Sequence, residues 1–552
     1  MTAKYVNSIF RVAATKPAYD LSHPWEVKPK SAHATGFALA YKGRTILITN
    51  YHVPEEAKMV GVEFANGLQP FTADVVYRAP HYDMAILDVI DSDKERFDQT
   101  IVPLQLADVT PPQDTAIRVI GFPDAVLGLS MTEGVVSRYI ATAYPFSFFS
   151  TLVLQTTCAI NPGNSGGPAF LADMVVGIAF MHAIGRENVG YLIPLIYVKH
   201  VLDGFLLGKQ AAFGHLGVRT QDTNPILRAY YGCPHTGGLV VMPGATEFKV
   251  GDIIMEQDGH TISDDLFCEF EGTRVRMNIL LFTKYIGDTY EAKVFRNGKT
   301  VTVHGVIVPG PDLTHDLDYV NHKFIIADSF CFVPLTARLV RKILSQQKPP
   351  FFIPEYFFSI VDYEHKVRDE AVVLTDINFT PSNPPISSTQ RFARVMMIND
   401  EPMHNIEQLR DAIVNPKQRY MQITFSDRSM IALDTKNLIE RSDVIAKEIY
   451  GAPSAIWDGG TPSPHIPPSR ERGVSKEVAS LQETPTHFGK REHHTADKKD
   501  GGDDVVAMPT MIIDSPPPER DIVGHDDLYE ITPVMDDSPK GDVPPPDWHK
   551  MQ

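Results

Sequence analysis

The stretch QTTCAINPGNSGGPAF, residues 155–170, decides how the rest of the sequence is interpreted. Its glycines at 163, 166 and 167 allow a sharp turn that projects the hydroxyl of Ser165. The same turn can aim the N–H groups of Gly163 and Ser165 at one spot, where they could bind a developing negative charge. A glycine-rich turn alone is as often a simple loop as part of a catalytic site. The meaning of this stretch therefore depends on its partners elsewhere in the chain.

Two polar residues upstream supply those partners. His52 lies at the end of the strand-like run TILITNYHV, and Asp83 directly precedes the apolar run MAILDVI. Taken singly, His52 is more typical of a packing residue and Asp83 of a turn residue. Acyl transfer from a peptide bond needs a nucleophile, a base, a group that fixes the base, and oxyanion donors. The order His, Asp, Ser is that of double-barrel serine proteases, whereas subtilisin-like and α/β-hydrolase sites use other orders.

The sequence around these residues predicts β structure. Residues 1–208 consist of short apolar runs separated by Gly, Pro and Asp turns, a pattern typical of barrels and sandwiches. Residues 214–310 are predicted to form a smaller unit whose last two elements are β-strands. The turn between those strands is Asn297-Gly298, the strongest short hairpin signal.

Residues 319–440 repeat the plan of the smaller unit loosely. The segment RVMMINDEPMHNIEQLRDAI, residues 394–413, parallels DIIMEQDGHTI in the preceding unit and is again followed by two strand-like runs. Within it, three apolar residues share one helical face and predict a short helix that covers a sheet: Ile406, Leu409 and Ile413. The two units are therefore predicted to be copies of one α+β module.

Residues 452–552 lack this apolar patterning. From Gly451 to Gln552 the sequence contains 19 Asp and Glu against 10 Lys and Arg, together with several proline runs. Its hydrophobicity is too low to offset the entropy of ordering the chain. We expect an acidic, proline-rich disordered tail and assign no chemistry to it.

Composition excludes several classes of function. The net charge of −17 argues against a nucleic-acid or anionic-membrane binder, since such surfaces need clustered Lys and Arg. The 4 cysteines form no CxxC pair, so neither a disulfide framework nor a metal site is indicated, and no cofactor is expected. With no secretory pattern at the N-terminus and no long apolar run, we expect a soluble intracellular protein of the cytoplasm or nucleus, with an organelle not excluded.

The chain resembles the HtrA/Deg proteases, which join a trypsin-like double six-stranded β-barrel to PDZ modules. The matching stretches occur in the family's order: ATGFAL, LITNYHV, YDMAILDV, GFP with MTEGVVSR, AINPGNSGGPAF, VVGIAF and ENVGYLIP. YDLSHPWEVK, LIYVKHVLDGF, TEFKVGDIIMEQDG and FVPLTARLV are further similar to the plant-type Deg branch with two PDZ modules. The resemblance implies a mainly β fold, a serine endopeptidase and a homo-oligomer built from trimers.

Carried over residue by residue, the resemblance implies His52 as general base and acid, Asp83 as its orienter and Ser165 as nucleophile. Gly163 and Ser165 would supply the oxyanion-binding amides. Asn164 replaces the Asp with which digestive trypsins pair a newly cut N-terminus, so activation by such a cut is not expected.

The specificity pocket is predicted to be apolar. Ala159 stands where trypsins place an acid to bind Lys or Arg, and Ile160 lies beside it. We therefore expect cleavage after small or medium aliphatic residues. Cys158 has no His partner within the motif and is interpreted as a buried structural thiol.

Peptide binding by the first PDZ module is predicted at HLGV, which comprises His215, Leu216, Gly217 and Val218 and stands where the family's carboxylate-binding loop lies. No comparable loop is evident in the second, diverged module. The leading hypothesis is an ATP-independent endopeptidase that acts on unfolded or exposed protein segments in quality control or regulatory processing. The alternative is a PDZ scaffold or chaperone whose protease domain is inactive.

Overall fold

The computed structural model describes residues 2–19, 25, 27–55, 57, 59–67, 69–123, 128–143, 150–182, 188–218, 220–242, 247–270, 273–309, 323–336, 339, 370–378 and 391–457. Beyond residue 457, the predicted acidic tail lies outside the described residues. None of the described helices is both long and apolar enough to cross a membrane.

A 13-stranded sheet occupies the first part of the chain. Its strands are β1 (Ile9–Tyr19), β2 (Val27–Tyr41), β3 (Arg44–Thr49), β4 (Met59–Phe64), β5 (Phe71–Ala79), β6 (Met84–Val89), β7 (Leu104–Leu106), β8 (Ala116–Gly121), β9 (Ser130–Ala143), β10 (Ser150–Thr156), β11 (Pro168–Leu171), β12 (Met174–His182) and β13 (Gly190–Pro194).

The pairing of these strands closes the sheet twice. The order β1-β4-β5-β6-β3-β2 is closed by pairing of β1 with β2, and β12-β11-β8-β9-β10-β13 is closed by pairing of β12 with β13. The short strand β7 pairs in parallel with β2 and β12 and joins the two barrels. The predicted double six-stranded β-barrel is thus confirmed.

Each barrel has its own apolar interior. In the first barrel the rings of Phe10, Phe64 and Phe71 pack edge to face, with centroids 5.8 to 5.9 Å apart. In the second, Val136 and Leu154 are fully buried. The turns at residues 50–53 and 161–167 meet where the barrels join, since a Cβ added to Gly166 would lie 3.1 Å from the backbone N of Asn50.

A middle unit follows the barrels. Its strands are β14 (Gly214–His215), β15 (Thr220–Asp222), β16 (Leu239–Val241), β17 (Ile253–Gln257), β18 (His260–Thr261), β19 (Phe267–Phe270), β20 (Thr273–Arg276), β21 (Thr289–Arg296), β22 (Lys299–Val306) and β23 (Val308–Pro309). The hairpin of β21 and β22 turns at Asn297 and Gly298, which both have positive φ, 49° and 80°, as a two-residue type I′ turn requires.

A third unit repeats part of this arrangement. Its strands are β24 (Phe324–Ala327), β25 (Phe330–Pro334), β26 (Val372–Ile377), β27 (Val395–Ile398), β28 (Glu401–Pro402), β29 (Tyr420–Phe425), β30 (Met430–Asp434) and β31 (Ile456–Trp457). The sheet order β28-β27-β29-β30 matches β18-β17-β21-β22 of the middle unit. This common order is the structural basis of the repeat noted in the sequence.

The described helices are short and lie between strands. They are α1 (Asp91–Asp98), α2 (Leu195–Leu207), α3 (Pro225–Tyr230), α4 (Ile279–Phe282), α5 (Ile406–Val414) and α6 (Leu438–Ile445), with 3₁₀ turns at Thr2–Tyr5 and Pro80–Tyr82 and a π turn at Ala446–Tyr450. In α5 the predicted face of Ile406, Leu409 and Ile413 is buried. It shares one apolar cluster with Ile423 of β29, as a sheet-covering helix should.

Candidate active site

His52 is positioned by the strand that precedes it. β3 pairs with β6 inside the first barrel, and the chain then turns through residues 50–53 where the barrels join. The imidazole is only 14% exposed, and its Nδ1 lies 2.8 Å from Oδ2 of Asp83. Because Nδ1–H donates to a carboxylate, the lone pair of the neutral ring lies on Nε2. This is the tautomer that a general base requires.

Asp83 is fixed through both its carboxylate and its backbone. Its second oxygen, Oδ1, accepts the main-chain N–H of His52 at 2.9 Å. Its backbone lies in the left-handed region, with φ 51° and ψ 43°, directly after the 3₁₀ turn Pro80–Tyr82. Its carbonyl accepts hydrogen bonds from Asn50 Nδ2 and from the N–H of Tyr51. With 1% exposure, Asp83 is shielded from water. Two hydrogen bonds orient its carboxylate and two hold its main-chain carbonyl.

Ser165 lies in the turn that the sequence predicted. Gly163 and Gly166 have φ of 95° and 83°, which L side chains rarely adopt, and a Cβ on Gly166 would collide with the carbonyl of Thr35. The Ser165 hydroxyl donates to the carbonyl of Phe180 at 3.4 Å. The N–H groups of Gly163 and Ser165 donate to no other residue in the described part of the chain. Both amides are thus available to an oxyanion.

Thr35 ties the nucleophile turn to the first barrel. Its N–H donates to the carbonyl of Ser165 at 2.9 Å, and its hydroxyl donates to the carbonyl of Gly163 at 2.7 Å. The same hydroxyl accepts the N–H of Phe122 at 2.9 Å. Sequence reasoning placed Thr35 only within the matching run ATGFAL and assigned it no role. The Gly163 carbonyl belongs to the Gly163–Asn164 peptide, which lies between the N–H groups of Gly163 and Ser165. By holding this carbonyl, Thr35 helps to orient the candidate oxyanion donors.

The residues predicted to line the specificity pocket lie at the start of the same loop. Ile160 is 4% exposed, and Ala159 is half-buried, with its carbonyl accepting from the Thr132 hydroxyl at 3.1 Å. Gly190 of β13 faces Ile160, because a Cβ added there would lie 2.5 Å from Ile160 Cγ1. None of these three residues carries a charge.

Cys158 is a buried thiol, as its sequence context suggested. Its Sγ donates to the carbonyl of Ile117 at 3.6 Å, and burial raises the pKa of the thiol above its ordinary value. A protonated, enclosed sulfur is a poor nucleophile. Among the described residues, no group of three or more His, Cys, Asp or Glu side chains is arranged to hold a metal ion.

The HLGV segment of the middle unit is packed inward. Leu216 and Val218 are 5% and 3% exposed, and Gly217 has a φ of 77°. The Gly217 N–H, which would bind a peptide carboxylate, donates to Nδ1 of His215 at 2.9 Å. A ligand carboxylate would therefore have to displace this imidazole, and peptide binding at this loop stays a prediction.

Comparison with known proteins agrees with this architecture. A trypsin-like peptidase domain model matches residues 34–178, and a PDZ domain model matches residues 314–454. The Arabidopsis thaliana protein Do-like 13 is 30% identical over 350 residues, which cover 60% of this chain and 70% of that protein. The chain belongs to the Do-like, or HtrA/Deg, family. It is a serine endopeptidase of the trypsin-like class, and enzymes of this family act on proteins or peptides.

Two further relatives of this HtrA/Deg protease correct one expectation. Protease Do-like 2, chloroplastic, of Arabidopsis thaliana is 29% identical and covers 82% of this chain and 75% of that protein. Protease Do-like 4, mitochondrial, of the same organism is 28% identical and covers 82% and 85%. The expected location in the cytoplasm or nucleus is therefore wrong, since these relatives point to an organelle.

Solved structures related to this HtrA/Deg protease include the HtrA-type protease AlgW with a decapeptide. The structural alignment covers 56% of this chain and 98% of the AlgW chain, with 21% sequence identity and a TM-score of 0.43.

Proposed function

We propose that His52, Asp83 and Ser165 form the catalytic triad of this endopeptidase. The observation that carries the proposal is the double contact of the Asp83 carboxylate, which accepts both the Nδ1–H and the main-chain N–H of His52. This arrangement fixes the plane and the tautomer of the ring at the same time. A structural histidine needs neither constraint.

In the proposed reaction, the Ser165 Oγ attacks the carbonyl carbon of the scissile bond while His52 Nε2 takes its proton. The resulting oxyanion accepts hydrogen bonds from the N–H groups of Gly163 and Ser165. The C–N bond then breaks, and His52 returns the proton to the leaving amine. Water attacks the acyl enzyme by the same route and releases the second product.

We further propose cleavage after small or medium aliphatic residues in unfolded or exposed segments, without ATP. Support comes from the residue types at Ala159, Ile160 and Gly190, which offer no charge to a Lys or Arg side chain. The middle and third units would provide substrate or subunit contacts, and the chain would assemble as trimers or multiples of trimers. Quality control and regulatory processing both fit this description.

The test uses a fluorophosphonate probe, which reacts with activated serines. The wild-type chain should be labelled and the Ser165→Ala variant should not. Absence of labelling together with capture of unfolded protein would favour the scaffold alternative. Peptides with Val, Ala or Leu before the scissile bond should be cleaved faster than matched Lys or Arg peptides. Faster cleavage of the basic peptides would contradict the pocket assignment.

A further inference from the structure

The turn that carries Asp83 is enclosed by aromatic side chains from outside the barrels. Tyr82, the residue before Asp83, is 3% exposed. Its ring lies edge-on to Tyr197 of α2 at 5.2 Å and to Phe213 at 4.9 Å, measured between ring centroids. Phe213 belongs to the connection between α2 and the middle unit. The catalytic turn therefore packs against the segment that joins the protease to its neighbour.

A hydrogen bond links Tyr82 directly to the middle unit. Its hydroxyl donates to the main-chain carbonyl of Phe282, at the end of α4, at 2.8 Å. The last carbonyls of a helix have no hydrogen-bond partner within the helix, so the Phe282 carbonyl accepts no hydrogen bond from α4 itself. Burial holds the pKa of Tyr82 well above its ordinary value, and the hydroxyl stays a donor. The ring of Phe282 stacks on Phe213 at 3.7 Å, so the two contacts support each other.

His81 adds a second anchor to the same turn. Its ring stacks on Phe213 with centroids 5.0 Å apart, and its Nδ1 accepts the N–H of Phe213 at 3.2 Å. Inside the turn, the N–H of Asp83 donates to the carbonyl of Pro80 at 3.1 Å. Two consecutive residues before Asp83 are thus held from outside the barrels, while Asn50 holds its carbonyl from inside.

We infer that Tyr82 is a positioning residue through which α4 of the middle unit holds Asp83, and hence His52, in the catalytic geometry. The inference rests on the proposed triad. Without the bond to Phe282, the turn keeps its barrel-side anchor and can rotate about it, which loosens the carboxylate beneath the imidazole. Because Tyr82 lies behind Asp83, it should affect turnover more than substrate binding.

Tyr82→Phe removes the hydroxyl and keeps the ring. We expect kcat to fall about tenfold, which corresponds to the loss of one buried hydrogen bond, with KM changed less than about twofold. The matched control is Tyr450→Phe, which also removes a buried tyrosine hydroxyl that donates to a main-chain carbonyl, that of Ser329 in the third unit at 2.7 Å. Tyr450→Phe should lower the melting temperature similarly and leave kcat near that of the wild type.

A double-mutant cycle separates positioning from general support. In an Asp83→Asn background, adding Tyr82→Phe should not slow fluorophosphonate labelling further if Tyr82 acts through Asp83. Phe213→Leu keeps an apolar side chain but removes the stacking, and it should reproduce the kcat loss if Tyr82→Phe does not fold. Unchanged kcat in Tyr82→Phe, an equal loss in Tyr450→Phe, or additive effects with Asp83→Asn would each overturn the inference. The triad itself is tested separately by Ser165→Ala.

Discussion

Thr35→Val tests whether the nucleophile turn depends on the opposite barrel. The substitution replaces a hydroxyl by a methyl group of nearly the same volume at a residue with 0% exposure. It leaves the carbonyl of Gly163 without its donor and the N–H of Phe122 without its acceptor. Each unpaired buried group costs about 1–3 kcal/mol, so the free energy of unfolding should fall by about 2–6 kcal/mol.

The effect of Thr35→Val on catalysis follows from the position of the Gly163 carbonyl. Removing one oxyanion donor outright costs about 10²–10³ in kcat. The Gly163–Asn164 peptide lies between the two peptides that carry the oxyanion donors, so its rotation tilts the N–H groups of Gly163 and Ser165 without removing either, and we expect a smaller loss of about 10- to 100-fold in kcat. KM should change little, because Thr35 does not line the pocket of Ala159 and Ile160.

The measurements are peptide hydrolysis and urea unfolding on the same preparations. Thr35→Ser keeps the hydroxyl and should recover most of the lost kcat. Thr375→Val removes another fully buried threonine hydroxyl, one that donates to the carbonyl of Cys331 in the third unit, and should lower stability without lowering kcat. Wild-type kcat in Thr35→Val, or an equal loss in Thr35→Ser, would refute the reasoning.

Two further predictions concern the pocket and the acid sensitivity of the fold. Gly190→Ala places a methyl 2.5 Å from Ile160 Cγ1 and 2.8 Å from the Cys158 carbonyl, so kcat/KM should fall more for Leu than for Ala peptides; an equal fall would contradict the pocket's location. Burial lowers the pKa of His200 from 6.5 to about 4, so the unfolded chain binds a proton first as the pH falls. The free energy of unfolding should decrease between about pH 6.5 and 4, by up to about 3 kcal/mol, and His200→Phe should flatten this dependence in urea titrations at each pH.

Much of the fold could be predicted because its signals are local. The Asn297-Gly298 dipeptide identified a hairpin, and the spacing of Ile406, Leu409 and Ile413 identified a helix that covers a sheet. The pairing of β19 with β20 was not predicted. Both strands lie in TISDDLFCEFEGTRVR, residues 261–276, which contains no Asn-Gly or Asp-Gly dipeptide.

The candidate triad could also be proposed from the sequence, since a nucleophile, a base and an orienting acid differ in residue type and follow a characteristic order. The supporting contacts were not. Thr35 and Gly163 are 128 residues apart, and Tyr82 and Phe282 are 200 residues apart. Nothing in the runs ATGFAL or YDMAILDV indicates which distant loop each side chain will meet.

The reason lies in the nature of the acceptors. In both contacts a side-chain hydroxyl donates to a main-chain carbonyl, a group that every residue carries, so the partner's identity leaves no mark in the sequence. An ion pair would have been easier to anticipate from the sequence, because it requires a side chain of opposite charge at the partner position. Here the side chains of Gly163 and Phe282 contribute nothing to the bond, and only the position of their backbone matters. Candidate catalytic residues can therefore be found by type and order, whereas the residues that would hold them in place become visible only once the chain is folded.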